Sequence, residues 1–274
     1  MLEKDAIEHL LATGRAQNET RAGDDGEKFY IRPDGHSVSL AQFNAPTRVR
    51  QKVTLGNVES FCAYFERFST DDSLIFGDVN DKSATFKAVI DYHGPEGPNY
   101  CDHVAVFATQ PTPEWVAWLA ADRKAMTQVV FAEWLEDNLH LFPANPSEGP
   151  SAADLLELVK SLHGHQTANF NTSLRLNTGA YSVKYEETID VKGTMTSGAI
   201  DLPAFIYGGF PLFQGMPGYL IRARLKTRIE NRKLVLFFET VALSKTVMDC
   251  LSIAVERIEE KTNRIVLLGD IGQK

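Results

Sequence analysis

The sequence predicts an α+β fold with mostly antiparallel sheets built from hairpins and with packed helices. One observation is that alternating apolar and polar runs come in adjacent pairs, with first members at 83–93, 171–176 and 219–229. Each is followed, after a short turn, by a second alternating run. The other observation is that segments with helical spacing lie between these pairs and do not follow every strand, so repeated strand–helix–strand units are not indicated.

The elements before the central hairpin are defined by alternation and by capping residues. A short amphipathic helix over 3–13 is expected to end at Gly14, and a polar loop follows over 14–38. Residues 47–54 alternate as a strand. Asn57 is a suitable N-cap for a helix that ends at Phe68, and 73–78 reads as a short strand.

Caps and turns define the elements after the central hairpin. Thr112 is followed by Pro113, which favours a helix start, and Thr127 caps a helix to about residue 141. Ser151 with Asp154 resembles a capping box. The Gly- and Pro-rich stretch 203–218 predicts a loop-rich crossing between two hairpins. The remaining predicted elements are the helix 245–259 and the strand 264–268.

Three regions are predicted along the chain. Residues 1–45 form an N-terminal helix and flexible arm, and 46–145 form an α+β subdomain around the central hairpin. Residues 146–274 form a second α+β subdomain with two hairpins and a C-terminal helix. The boundary rests on the prolines and the glycine between 143 and 150. In the alternative division, 46–274 is one continuous domain.

The composition and the absence of certain motifs argue against several classes of function. The chain has 274 residues, of which 43% are hydrophobic and 23% charged, as is usual for a globular protein. It contains no eighteen-residue apolar run and no signal-peptide pattern at its start, so we expect no membrane partner and a cytoplasmic location. No phosphate-loop or nucleophile-elbow motif occurs, and no cofactor is predicted. The formal charge of −8 argues against bulk attraction to nucleic acid, although a local basic patch would still bind it.

The central hairpin holds the first candidate site. Side chains alternate across a strand, so Asp91 and His93 share one face. If residues 94–99 form the loop, Asp91 lies opposite Asp102. The three side chains Asp91, His93 and Asp102 then cluster, whereas Cys101 and His103 point inward with the apolar residues. A one-residue slip would regroup both pairs, but the apolar alternation of the two strands would no longer match.

Two interpretations of this cluster stay open. An Asp/His/Asp group is suited to holding a divalent metal or to acid–base work. The commoner role for such residues is to accept or donate hydrogen bonds to backbone within a turn. No paired Cys motif or His-Glu-x-x-His motif supports the metal.

The second candidate site is a strand that carries four cations, Arg222, Arg224, Lys226 and Arg228. We call these four residues the basic ladder. They alternate with apolar residues, so the strand has one basic face. A two-residue turn at 231–232 would place Arg224 opposite Glu239 and Lys226 opposite Phe237. The preceding hairpin adds Arg175 and Lys184 to a matching polar face.

Three interpretations apply to the basic ladder. The cations pair with nearby acids on a solvated face, where they would also protect an edge strand from aggregation. Alternatively, they contact another subunit. In the third interpretation they bind phosphates or single-stranded nucleic acid. The acids available for pairing are Glu186, Glu187, Glu230 and Glu239.

Several longer motifs carry a family resemblance. The runs FKAVIDYHG, YCDHVAVFATQPTPEW and FAEWLEDNL, with FPLFQGMPGYLIRARLKTRI later, resemble the YfdQ-like proteins of bacteriophages and prophages. The resemblance covers roughly 46–257. It implies a phage or prophage origin and a location in the bacterial host cytoplasm. It implies no established enzymology and offers no catalytic residues for transfer.

These observations yield three ranked hypotheses. The first is a non-enzymatic phage or prophage accessory protein that forms a homo-oligomer. The second is binding of single-stranded nucleic acid or a nucleotide through the basic ladder. The third is a metal-dependent enzyme using Asp91, His93 and Asp102.

Overall fold

A computed structural model describes residues 4–17, 20–23, 26–32, 36–43, 45–143, 149–163, 169–174, 181–188, 195–230 and 233–272. It confirms the α+β fold with mostly antiparallel sheets. The helices are α1 (Lys4–Gln17), α2 (Val58–Phe68), α3 (Pro113–Ala121), α4 (Gln128–Asp137), α5 (Ala152–His163) and α6 (Leu243–Thr262). Two short 3-10 helices cover Ala41–Phe43 and Leu139–Leu141.

The strands are, in chain order, β1 (Thr20–Ala22), β2 (Lys28–Ile31), β3 (Ser37–Ser39), β4 (Gln51–Leu55), β5 (Leu74–Val79), β6 (Ala84–Val89), β7 (His103–Ala108), β8 (Met126–Thr127), β9 (Asn169–Leu174), β10 (Tyr181–Thr188), β11 (Met195–Leu202), β12 (Phe205–Phe210), β13 (Tyr219–Glu230), β14 (Lys233–Thr240) and β15 (Val266–Leu268). Within the described residues they form four sheets. Two three-stranded sheets have the orders β1-β2-β3 and β11-β10-β9.

The largest sheet has the order β15-β5-β6-β7-β4. Its inner pairs are antiparallel, whereas β15 runs parallel to β5 and β4 runs parallel to β7. Gly77 on β5 allows β15 to lie close, because a Cβ at Gly77 would stand 3.0 Å from Val266 Cγ1. Helix α2 packs on this sheet with Phe61 and Phe65 fully buried.

The predicted helix caps are confirmed. Asn57 accepts the backbone N–H of Ser60 at 2.8 Å, and Thr112 accepts that of Trp115 at 3.1 Å. Ser151 and Asp154 form the reciprocal pair expected of a capping box, with two side chain–backbone hydrogen bonds of 3.2 Å. Each cap satisfies a donor that the first helical turn leaves without a partner.

The second antiparallel sheet has the order β12-β13-β14-β8. Its registers pair Arg224 with Glu239 and Lys226 with Phe237, which confirms the predicted pairing of β13 with β14. The prediction that the basic ladder lies on an edge strand is wrong, because β12 pairs with the other side of β13. The sequence of β13 alone does not indicate that residues 205–210 pair with it.

A contiguous cluster of buried apolar side chains connects the two larger sheets and the helices between them. Trp118 of α3 lies within it and is fully buried. Its ring contacts Phe238 at a centroid distance of 4.7 Å and Phe210 at 5.7 Å. The indole N–H donates to Thr240 Oγ1 at 3.0 Å, so the polar atom of this large side chain has a partner.

Several predicted elements need correction. Strands β1 to β3 lie where a loop was expected, and β12 lies within the predicted loop-rich crossing. Helix α1 continues past Gly14, whereas α4 ends at Asp137 and is followed by 3-10 geometry. These strands were not predicted because each is short, and the alternation of its few apolar residues is weak beside the surrounding glycines and prolines. Within the described residues, no helix has the length and apolarity that crossing a membrane requires.

Strand pairing crosses the predicted boundary near residue 145 in both larger sheets. Strand β8 pairs with β14, and β15 pairs with β5. Helix α6 also packs against α2. The division into subdomains at 46–145 and 146–274 stays a prediction, beside the alternative of one continuous domain.

Candidate functional site

The central hairpin has the predicted register. Phe86 pairs with Phe107 and Val89 with Val104. The backbone N–H of Ile90 extends the ladder by donating to the carbonyl of His103 at 2.9 Å. The regular ladder ends there, and one longer backbone hydrogen bond, from the N–H of Cys101 to the carbonyl of Asp91 at 3.3 Å, follows it. The loop is therefore longer than the six residues expected, and the candidate side chains lie in it.

Asp91 holds the two sides of this loop together. Its carboxylate accepts the backbone N–H of Asp102 at 3.0 Å and that of His103 at 2.9 Å. Both carboxylate oxygens therefore receive an amide, which is the turn role considered from the sequence. Hydrogen bonds to an ionised acceptor are the stronger kind, so Asp91 stabilises this end of the hairpin.

Asp102 faces the chain segment that precedes β4. Arg48 Nη1 lies 2.9 Å from its carboxylate, and Arg50 Nε lies 4.0 Å away. The Arg48 guanidinium also stacks over the Tyr100 ring, 3.4 Å from the centroid. The cation–π contact and the ion pair fix the outer side of the loop.

His93 and Cys101 contact each other across the loop. The backbone N–H of Asn99 donates to His93 Nδ1 at 3.1 Å. Cys101 Sγ lies 3.6 Å from His93 Nε2. The prediction that Cys101 points inward is wrong, because its backbone is left-handed, with φ of 55°, and no longer follows strand alternation.

His103 points inward, as predicted. It is 5% exposed, and its Nε2 lies 2.8 Å from the Tyr64 hydroxyl. Burial lowers the pKa of His103 below its ordinary value, and the nearby Asp91 carboxylate opposes this shift. The burial of His103 under α2 therefore favours the neutral form of its imidazole.

The basic ladder occupies the exposed face of β13. Ile221, Ala223 and Leu225 are buried on the opposite face, which confirms the predicted alternation. The Arg222 guanidinium lies over the Phe205 ring at 3.7 Å. Arg228 lies 5.0 Å from the centroid of Phe237. The face therefore combines cations with aromatic rings from both neighbouring strands.

Acidic neighbours neutralise part of the ladder. Lys226 and Arg123 both contact the Glu239 carboxylate, Arg123 at 2.9 Å. The hydrogen bond from Lys226 lowers the pKa of Glu239. Arg228 pairs with Glu230. These two ion pairs match the solvated-face interpretation for Lys226 and Arg228.

Arg222 and Arg224 differ from Lys226 and Arg228, because across the described residues neither has an ion pair within 4 Å. Arg224 lines a cleft of about 600 Å³ together with Glu239, Arg123 and Lys245, of which Arg123 is paired with Glu239 and Lys245 with Asp249. Neither Arg123 nor Lys245 was identified from the sequence. Arg123 reaches the cleft from the end of α3, about a hundred residues away, whereas Lys245 lies in the first turn of α6, directly after β14. Arg175 lies outside the described residues, and so does the side chain of Lys184.

Exposed apolar side chains lie on both faces of β15 and on the neighbouring helix α6. Ile265 is 75% exposed and Leu268 is 73% exposed, with Leu267 and Met248 less so. We call these four residues the β15 apolar surface. Leu268 and Met248 border a cleft of about 450 Å³ between β15 and α6. This surface was not predicted from the sequence, because a short strand with consecutive apolar residues resembles a buried one.

The chain was compared with known protein families, curated proteins and solved structures. A family described as an uncharacterized conserved protein (DUF2303) matches residues 2–271. The chain belongs to this family. Neither a curated protein nor a solved structure matches. The match includes the N-terminal segment, which the motif resemblance did not cover.

The family assignment brings no catalytic residues, so the chemistry of the loop rests on its geometry. Among the residues that the structure describes, no three His, Cys, Asp or Glu side chains are grouped to hold a metal ion. The Asp91 carboxylate accepts hydrogen bonds from backbone amides, and the Asp102 carboxylate forms an ion pair with Arg48. A metal or acid–base role for Asp91, His93 and Asp102 stays a hypothesis that these contacts do not favour.

His103 predicts a pH dependence of stability. Its folded pKa is lowered, so the unfolded chain binds more protons as the pH falls through the ordinary histidine value of about 6.5. The stabilisation is present above that pH and is lost below it. We expect the urea midpoint to fall between pH 7.5 and pH 5.5, and to fall less in His103→Gln. The exposed His140→Gln is the control; an equal pH response in His103→Gln and wild type would contradict the assignment.

Proposed function

We propose that the protein is a non-enzymatic accessory protein of a bacteriophage or prophage, that it works in the cytoplasm of the bacterial host cell, and that it acts as a homo-oligomer. The observation that carries the assembly is the β15 apolar surface. Ile265 and Leu268 are each about three-quarters exposed, and Leu268 borders an apolar cleft together with Met248. Exposed apolar residues grouped in this way are typical of interaction sites.

The partner that this surface fits is a second copy of the chain. Arg264 precedes β15 and lies 3.8 Å from Asp71, and Asp270 follows the strand and pairs with Lys87. The strand therefore has a cation at one end and an acid at the other, each with a partner in its own chain. A twofold axis across the strand would bring each cation towards the other copy's acid, with the apolar side chains between them. Glu259 accepts the N–H of Val266 at 2.8 Å, which blocks part of the strand edge. Contact through side chains is therefore favoured over backbone pairing.

Light scattering on the purified protein tests the assembly. We expect a dimer or larger oligomer at micromolar concentration, and dissociation of Ile265→Asp with Leu268→Asp. Exposing these two side chains to water costs about 3 kcal/mol of association energy, or roughly a hundredfold in Kd. Val130→Asp is the control, since Val130 is 47% exposed on α4. A wild-type protein that stays monomeric would refute the proposal.

A second candidate function is binding of single-stranded nucleic acid or a nucleotide by the basic ladder. It is favoured by Arg224, which lacks an ion pair among the described residues and faces a cleft with Arg123 and Lys245. Phe205 and Phe237 add aromatic surface on the same side of the sheet. Cations that neutralise phosphates beside rings that stack on bases are typical of sites for single strands.

Fluorescence anisotropy with a labelled oligothymidine tests this second candidate. We expect binding at low salt that weakens as salt is added, and a loss of about tenfold in Arg222→Ala with Arg224→Ala. Lys52→Ala with Arg67→Ala removes the same charge elsewhere and should retain binding. If no binding is seen at low salt, or both double variants lose it equally, the ladder is not a nucleic-acid site.

A further inference from the structure

One face of the five-stranded sheet lacks a covering layer. Among the described elements only α2 and α6 pack substantially on this sheet, and they also pack on each other. Both lie on the face that the registers assign to Gly77 and Phe107. Phe61 of α2 contacts the Phe107 ring at a centroid distance of 6.3 Å, and α6 borders a cleft together with Gly77. We call the opposite face the outer sheet face.

The centre of the outer sheet face is apolar. The residues of β5 and β7 that point to it are Leu74, Phe76, Val104 and Val106, and each of them is partly exposed. A sheet with one solvated face normally carries polar residues there, whereas strands that are buried on both faces are apolar throughout. The centres of β5 and β7 follow the second pattern, which predicts that another layer covers this face.

One charge lies in the middle of the outer sheet face, and the chain itself neutralises that charge. The registers place Lys87 of β6 between Phe76 and Val106, and its side chain is 18% exposed. The ammonium group contacts the Asp270 carboxylate and lies 3.4 Å from the carbonyl oxygen of Ile271. A partner therefore covers this face without leaving an unpaired charge in the contact.

The partner that fits the outer sheet face is a second copy of the chain. Leu267 pairs with Phe76, so Leu267 points to this face, and so does Ile265 two residues earlier. The face is therefore continuous with the β15 apolar surface, through which the proposed assembly forms. A stable interface buries about 20–30 residues and roughly 800 Å² on each side, far more than the four residues of the β15 apolar surface provide. The outer sheet face adjoins them and supplies the missing area.

We infer that the outer sheet faces of two copies pack against each other, as the two layers of a sandwich that forms between chains. This inference rests on the proposed homo-oligomer and names the face by which the copies meet. The two sheets lie about 10 Å apart in such a packing. Phe76 and Tyr92, with 5.5 Å between their ring centroids, are the aromatic anchors of the contact.

Sedimentation of the full chain over a range of concentrations tests the outer sheet face. Val104→Thr with Val106→Thr keeps the branched shape that suits a strand and places hydroxyl groups in the contact, so Kd should rise at least about tenfold. Phe76→Ala removes an aromatic anchor and should raise Kd about thirtyfold. The matched control is Val116→Thr with Val130→Thr, which changes two exposed valines on α3 and α4 and should leave Kd unchanged. Circular dichroism verifies the fold of each variant.

Hydroxyl-radical footprinting of the wild type provides a measurement without substitutions. Phe76 and Tyr92 should lose reactivity as the protein concentration rises through Kd, whereas the exposed Val116 and Leu119 of α3 should keep theirs. Unchanged association of the folded valine double variant, or unchanged reactivity of the two rings in an assembled wild type, would overturn the outer sheet face. The proposed assembly would stand without it if Ile265→Asp with Leu268→Asp still dissociated the oligomer. A wild type that stays monomeric would overturn both.

Discussion

Trp118→Ala is expected to lower the free energy of unfolding by about 4 kcal/mol, the largest effect that we predict. The indole is fully buried among rings from β12, β14 and α4, and truncation would leave a cavity at the centre of the core. It would also remove the donor to Thr240 Oγ1. That hydroxyl keeps its hydrogen bond to Asp122 at 2.8 Å, so the loss is mainly one of packing.

Urea denaturation followed by circular dichroism measures this effect. Trp118→Phe keeps an aromatic ring and should lose less, about 2 kcal/mol. Val116→Ala on the same helix is the control, since Val116 is 53% exposed and its truncation should cost under about 0.5 kcal/mol. A loss under about 1 kcal/mol in Trp118→Ala would mean that this side chain is not at the centre of the core.

Asp91→Ala is expected to lower the free energy of unfolding by about 2 kcal/mol. The substitution leaves the backbone N–H groups of Asp102 and His103 without the carboxylate, and an unsatisfied buried donor costs roughly 1–3 kcal/mol. The two donors are only partly buried, so water recovers some of the loss. Asp91→Asn keeps one oxygen acceptor and should lie between Asp91→Ala and wild type.

The same denaturation assay tests Asp91. Glu96→Ala removes an exposed acid from the same loop and should leave stability within about 0.5 kcal/mol. If Asp91→Ala were as stable as wild type, the structural role of the carboxylate would be refuted. The metal hypothesis for Asp91, His93 and Asp102 would then regain weight, and added Mn²⁺ or Zn²⁺ should stabilise the wild type.

The registers of two hairpins were predictable because each strand alternates strictly between a buried and a polar face. A slip by one residue would expose the whole apolar set, so the Phe86–Phe107 and Arg224–Glu239 pairs followed from the pattern. The backbone conformation of the loop was not predictable in the same way. Cys101 adopts a left-handed backbone that reverses its side chain, and no local signal in the sequence marks this.

Long-range contacts account for most of the features that were not predicted from the sequence. The pairing of β8 with β14 and of β15 with β5 joins segments more than a hundred residues apart, which alternation within one segment cannot indicate. The same is true of Arg123, which reaches Glu239 from the end of α3. The sequence indicates which residues are chemically suited to a site, but it does not indicate the neighbouring residues that determine their roles.

The parallel pairing of β15 with β5 also has a consequence during synthesis. The outer edge of β5 stays open until residue 268 has emerged from the ribosome and folded back, so nascent chains spend translation with an unfinished sheet. Non-local parallel pairing of this kind is slow to form. A nonsense or frameshift mutation just before Val266 would make that temporary open edge permanent, and the shortened product would be prone to aggregate although most of its core residues were present.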